Sequence, residues 1–296
     1  MTTRSRAELF LFATTFIWGS TFVVVKAGSE NISSSLFIAL RFGIGSLIFA
    51  LFLANQLKTI TFQTYKKAII LGVMLGVGIL LQNQGIYHTT ASKSAFITGL
   101  MVIFTPIAQL IIEHKAPKIG NLIGVVIVTY GLYLLTSPSG SEINYGDILV
   151  LIAAAIFGVF IVYLDIFSKT ENVLHLAFLQ VTIVTLIAFV VVPFETIQFI
   201  PSTHLILSLL YMGTLATVFT TYIQTRYQKD STPTRAVIIF TIEPVIASVL
   251  AYYFLDELLG IVGIIGASFI VVGILVSEFF DSLTAKYLFK NESVVE

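Results

Sequence analysis

Apolar stretches of about 18–22 residues follow one another ten times along this chain. Each is long enough, at about 1.5 Å per helical residue, to cross a hydrocarbon core of about 30 Å. The pattern predicts helices over 8–27, 34–54, 68–88, 94–113, 119–136, 146–165, 174–193, 204–225, 234–254 and 258–279. Charged residues make up only 11% of the chain and apolar residues 57%, whereas soluble domains carry about 25% charged residues. A water-soluble bundle of ten such helices lacks the polar surface to cover itself. The expected fold class is therefore an all-α integral membrane protein with ten transmembrane helices.

The second five stretches repeat the layout of the first five. Trp18-Gly19 recurs as Phe157-Gly158, Arg41 as Gln180, Pro106 as Pro244, and Gly124 and Gly131 as Gly266 and Gly273, at separations of 139, 139, 138, 142 and 142 positions. Five crossings reverse the direction of the chain, so the two copies are expected as inverted repeats, an architecture built to move solutes between two faces. The boundary falls in the turn Ser137-Pro138-Ser139-Gly140, giving repeats over 1–139 and 140–296. From Pro244 the acidic pair Asp256-Glu257 lies 12–13 residues on, whereas the stretch after Pro106 is about four residues shorter. On this alignment the first copy has lost a helical turn, and Thr105 stands opposite Glu243.

Basic residues orient the spans. With both termini in the cytoplasm, thirteen of the sixteen Lys and Arg residues fall in inner segments, two (Lys26 and Lys93) in outer ones, and Arg41 within a span. That imbalance predicts a multi-pass protein of the cell (inner or plasma) membrane with cytoplasmic termini. The absence of cysteine excludes disulfides, thiolate metal sites and a cysteine nucleophile. A formal charge of zero leaves no footprint for nucleic acid. The four histidines lie at span ends or in loops without His-Glu-x-x-His spacing, and no Walker-type loop is present. No enzymatic activity, cofactor or metal is expected. The expected partners are the lipid bilayer and a small-molecule substrate, and the expected unit is a monomer.

Phe16-Ile17-Trp18-Gly19-Ser20-Thr21-Phe22, then Lys26 and Leu40-Arg41-Phe42, resemble the start of an EamA domain of the drug/metabolite transporter superfamily. So does the run from Gln82 to Pro106, with Thr89-Thr90-Ala91-Ser92 and Ala95-Phe96-Ile97-Thr98-Gly99-Leu100. The second copy supplies Ile242-Glu243-Pro244, Asp256-Glu257 and a glycine-spaced tenth stretch, so the resemblance covers roughly residues 8–280. It implies a ten-helix carrier, typically an exporter of amino acids or related compounds, with its site between the two bundles. Transport by alternating access of neutral, zwitterionic or amphipathic metabolites is the expected function. A receptor, scaffold or channel is the alternative.

Polar groups inside spans mark the candidate site, because an unpaired one costs several kcal/mol in hydrocarbon. Thr217, Thr220, Thr221 and Gln224 share one helical face, as do Thr14, Trp18 and Thr21, and Thr98, Thr105 and Gln109. These stripes suggest a shared wet cavity; interhelical hydrogen bonding is the other reading of each threonine. Gln82, Asn83 and Gln84 cannot all face one cavity, since successive helical residues turn by about 100°. Gln82 is expected there, together with Asn83 or Tyr87, and Gln180 from the seventh stretch. Trp18, the only tryptophan, lies mid-span, where it stacks on substrate, plugs a gate or packs. Glu243 is either a proton-coupling group or a structural acceptor for Arg226 or Arg235. Arg41 either bonds helix-end carbonyls, snorkels outward, or meets a substrate carboxylate. Pro106 and Pro244 are expected to kink their helices near the midplane. Gly72 and Gly76, and Gly260, Gly263 and Gly266, read as sites of close helix packing.

Overall fold

The computed structural model describes residues 2–136, 143–258 and 260–292. The expected boundary turn at 137–140 lies outside the described residues. Ten helices follow in order: α1 Thr3–Gly28, α2 Ser34–Leu53, α3 Phe62–His88, α4 Ala91–Glu113, α5 Ile119–Thr136, α6 Tyr145–Ser168, α7 Val173–Phe194, α8 Thr203–Asp230, α9 Pro233–Leu255 and α10 Ile261–Glu292. Eight are long and apolar enough to cross a membrane, while α5 and α10 carry shorter apolar segments, Ile119–Leu134 and Ile261–Ser277. Large apolar side chains stand exposed around the bundle, Leu47, Leu51 and Phe52 among them. In water that surface would be untenable; in lipid it is the solvent-matched face. Local chemistry starts the helices where the apolar runs begin. The side chains of Thr2, Thr61, Thr90, Asn144, Asn172, Ser202 and Thr232 each accept a first-turn backbone N–H, satisfying a donor that has no intrahelical partner.

The packing obeys the duplication. Helices α2 and α7 pack together, as do α5 and α10; α1 packs on α9 as α6 does on α4, and α3 packs on α6 as α8 does on α1. Each contact has its image under the exchange of repeats. Ser46 hydrogen-bonds Thr182 at 2.7 Å across α2–α7. A Cβ on Gly43 would lie 3.7 Å from Thr185, and that pair is the first one reflected. Across α5–α10, Gly124 faces the Gly273 carbonyl and Gly131 the Gly266 carbonyl. The N-terminal half of α4 packs on the C-terminal half of α9, and the reverse, so these two helices are antiparallel. This is the relation that inversion demands.

The structure corrects the register of the second half of each repeat. α4 and α9 begin at Ala91 and Pro233, are interrupted at Leu100 and at Thr241–Ile242, and end on left-handed residues, His114 with φ 55° and Asp256 with φ 54°. All these features are offset by 142, as are the α5 and α10 glycines, so no helical turn is lost after Pro106. Glu243 stands opposite Met101, not Thr105. Pro244 follows the α9 break and removes the amide that would have bonded the Phe240 carbonyl. Pro106 sits inside the continuous helix Met101–Glu113, and the α4 break precedes it, just after Gly99. The added length enters earlier: the helix caps Thr61 and Ser202 are offset by 141, and a π-helical segment at Thr214–Phe219 adds one residue within α8. Gly260, expected to pack closely, has no atom within 4 Å of its would-be Cβ.

Candidate functional site

A cavity of about 110 Å³ lies between α1, α2, α3, α4, α6, α8 and α9. Its size is comparable to an apolar cavity of about 150 Å³ that accepts benzene. Its lining follows the repeat. Trp18 and Thr21 of α1 stand opposite Phe157 and Phe160 of α6. Ile79 and Gln82 of α3 stand opposite Thr221 and Gln224 of α8, and Thr98 and Met101 of α4 opposite Phe240 and Glu243 of α9. The cavity is therefore placed on the relation between the halves, at the level of the two helix breaks. Its two glutamines match and Trp18 is matched by the aromatic Phe157; in the other four pairs a polar group in one repeat corresponds to an apolar one in the other.

The breaks bring backbone and side chains together there. A Cβ on Gly19 would lie 2.8 Å from Ile246 Cβ and 3.0 Å from the Glu243 carbonyl; on Gly158 it would lie 2.7 Å from Phe104 Cβ. Ile246 and Phe104 are related by the same 142-residue offset, so α1 and α6 grip the two broken helices in the same way. Trp18 packs edge-on against Phe240, with ring centroids 5.2 Å apart. With Phe42, Phe157 and Phe160 these rings form an aromatic wall.

Polar groups interrupt the wall at defined points. Gln82 donates to Thr98 Oγ1 at 2.9 Å. Gln224 lines the cavity and donates at 3.1 Å to Gln228, which in turn donates to the Ile161 carbonyl. Arg41 is buried; its Nε donates to Thr217 Oγ1 at 2.9 Å and its Nη2 to the Ala216 carbonyl at 3.0 Å. That carbonyl lies in the π-helical segment of α8, where the wider turn presents backbone acceptors to a neighbouring side chain. Glu243 begins the second half of α9 and faces the cavity. The partners anticipated for it are engaged elsewhere: Arg226 pairs with Asp230 at 3.0 Å, and Arg235 with Glu8.

Of the residues anticipated from sequence, Trp18, Arg41, Gln82, Thr98, Thr221, Gln224 and Glu243 surround the cavity. Four do not line it, because each is engaged elsewhere. Asn83 donates to Ser34 Oγ at 2.9 Å, Tyr87 to the Ile32 carbonyl at 3.0 Å and Gln180 to Thr225 Oγ1 at 3.1 Å, while Thr217 accepts from Arg41. Thr14 and Thr105 donate to their own helices' carbonyls, and Gln109 accepts from Thr234. Phe157, Phe160 and Phe240 carried no signal of their own in the sequence. The alignment of repeats sets Phe157 and Phe160 against Trp18 and Thr21, whereas Phe240 falls against Thr98 only in the corrected register of α4 and α9.

The sequence pattern of the EamA-like transporter family matches residues 5–137 and again 144–279. A protein of Archaeoglobus fulgidus named as an uncharacterized transporter is 30% identical over 273 residues, covering 92% of this chain and 86% of its own length. The uncharacterized transporter YoaV of Bacillus subtilis is 26% identical over 284 residues, covering 93% of this chain and 97% of its own. A solved crystal structure superposes with a TM-score of 0.76 at 17% identity, covering 96% of this chain and 99% of the other. That likeness concerns the fold.

Proposed function

This chain belongs to the EamA-like transporter family, and from that premise we propose that it exports or exchanges small neutral, zwitterionic or amphipathic metabolites, such as amino acids, by alternating access. The observation that carries this reading is the cavity itself. It lies between the repeats, holds one guanidinium and one carboxylate, and is otherwise walled by aromatic and uncharged polar side chains. A phosphorylated solute calls for paired cations, and Arg41 alone is of that kind among the lining residues. An apolar body against Trp18 and the phenylalanines, with polar ends reaching the glutamines, Arg41 and Glu243, suits the lining. The cavity is complete within one chain, which supports a monomeric unit. The repeats are assigned to 1–139 and 140–296, and the weight of basic residues supports cytoplasmic termini.

The test is flux in proteoliposomes loaded in turn with amino acids and related metabolites, with and without a pH gradient. Saturable uptake stimulated by substrate on the far side is expected. Absence of trans-stimulation for every solute that crosses would overturn the carrier reading in favour of a channel. Glu243→Gln separates the two roles of that acid: gradient-driven flux that survives the substitution unchanged excludes proton coupling through Glu243.

A further inference from the structure

Each broken helix starts from the same charged contact, and the two contacts lie at opposite ends of the cavity. Thr90 caps α4 by accepting the Lys93 amide, and Thr232 caps α9 by accepting the Arg235 amide. Lys93 Nζ meets Asp147 of α6 at 2.6 Å, and Arg235 Nε meets Glu8 of α1. Lys93 and Arg235 are separated by 142 positions, the offset of α4 and α9; Glu8 and Asp147 are separated by 139, the offset of Trp18 and Phe157. The two ion pairs are thus images of one another. Since α4 and α9 are antiparallel, the images stand near opposite faces of the membrane.

A short helical arm joins each pair to the cavity. Ala91–Gly99 carries Lys93 near its start and Thr98 near its end; Pro233–Phe240 carries Arg235 and Phe240 in the same way. The span between the paired residues is about 7.5 Å at 1.5 Å per residue, and beyond it each helix is broken. An arm bounded by a break can tilt without dragging the rest of its helix. Both pairs tie one repeat to the other, so both arms must release their acid before the ends of the cavity can separate there. The acids are prepared for release: Glu8 also accepts from Arg4 at 2.9 Å, and Asp147 from the Asn144 amide at 2.9 Å. Each keeps a partner on its own repeat, which avoids the penalty of a bare carboxylate.

We propose that Glu8–Arg235 and Lys93–Asp147 are the two gate latches of the transport cycle, one released in each access state. The assignment rests on the carrier reading above. The chain contains no cysteine, so Thr21→Cys places a single thiol on the cavity wall without further engineering. Its labelling by a membrane-impermeant maleimide, added to either face of oriented vesicles, reports which end is open and needs no known substrate. Arg235→Gln should raise labelling from the face that bears Arg235 relative to the other by about fivefold, the lower range of typical two-site couplings. Lys93→Gln should shift the ratio the opposite way, and the double variant should return towards the parent. Where Arg235→Gln fails to fold, Glu8→Gln breaks the same pair and is read in its place. Shifts of the same sign, or no shift, in well-folded variants would overturn the latch assignment while leaving carrier function standing. A thiol reached from one face only in parent and variants alike would overturn alternating access itself.

Discussion

Alanine at Gly19 or Gly158 tests how closely α1 and α6 must approach the broken helices. At Gly19 the added Cβ would lie 2.8 Å from two carbons of Ile246 and 3.0 Å from the Glu243 carbonyl; at Gly158 it would lie 2.7 Å from Phe104 Cβ and 3.1 Å from the Thr105 amide. An ordinary contact begins near 3.4 Å, so the helices must part by roughly half an ångström, and backbone atoms among the neighbours leave no rotamer to absorb it. Overpacking of this kind costs about 1–3 kcal/mol. Alanine's better helix propensity returns about 0.5–1 kcal/mol, leaving a net loss of roughly 1–2 kcal/mol. For a chain of 296 residues that corresponds to a fall in Tm of about 2–3 °C, at about 2.1 cal/mol/K of unfolding entropy per residue. The assay is thermal unfolding of the detergent-solubilised protein, with Gly28→Ala as control, since nothing lies within 4 Å of a Cβ there. Both tight positions should drop by similar amounts, because they are images of one contact, while the control should hold or gain slightly. Unchanged melting at Gly19 and Gly158, or an equal fall at Gly28, would refute the close-approach argument.

Two further outcomes separate cavity from scaffold. Gln82→Ala should raise the KM for a transported solute several-fold with little change in Tm. Asn83→Ala should lower Tm, since it leaves Ser34 without its partner, by an amount reflecting about 0.6–2 kcal/mol, and barely move KM. Between α6 and α7, burial pushes the Glu171 carboxyl up, but hydrogen bonds from Lys67 and Thr64 outweigh it and hold the pKa below its ordinary value of 4.5. Glu171 therefore stabilises the fold above about pH 4.5, and that contribution is lost as pH falls through the lowered value. Lys67→Met should flatten this part of the acid limb in a pH series of melting temperatures.

Length and polarity made the spans legible. A helix that crosses lipid must be apolar for about 20 residues, and the range 119–136 expected for α5 is the range observed. The site was legible only where a polar group had a single use. In lipid, a threonine or amide must find a partner, and a sequence does not distinguish a neighbouring helix from a wet cavity; Gln82 and Gln180 look alike, yet one lines the cavity and the other bonds Thr225. The cavity's phenylalanines were hidden for the converse reason, since phenylalanine suits lipid, core and cavity equally. Proline is the loudest mark in a helix, and here the two prolines do not occupy related positions, since Pro106 lies within a continuous helix and Pro244 follows a break. The marks that fix the register are His114 and Asp256 in left-handed conformations, and neither is the glycine that usually announces such a cap.

The departures from symmetry set the balance between access states. Two inverted repeats with identical contacts would give a carrier two access states of equal energy, because each state is the other with the halves exchanged. Whatever lacks an image lifts that equality. Arg41 is tied to the π-helical segment of α8 through Thr217 and the Ala216 carbonyl, whereas Gln180 at the related position bonds Thr225 instead. Glu257 accepts from the Ala91 and Ser92 amides and so adds a second acid at the α4 arm; 142 positions earlier stands Lys115, which pairs loosely with Glu113 at 3.9 Å. The α4 arm is consequently held by two carboxylates and the α9 arm by one. Within a latch mechanism the resting protein should open first at the α9 arm, so removing the extra acid by Glu257→Gln should bring the two faces of the cavity closer to equal labelling.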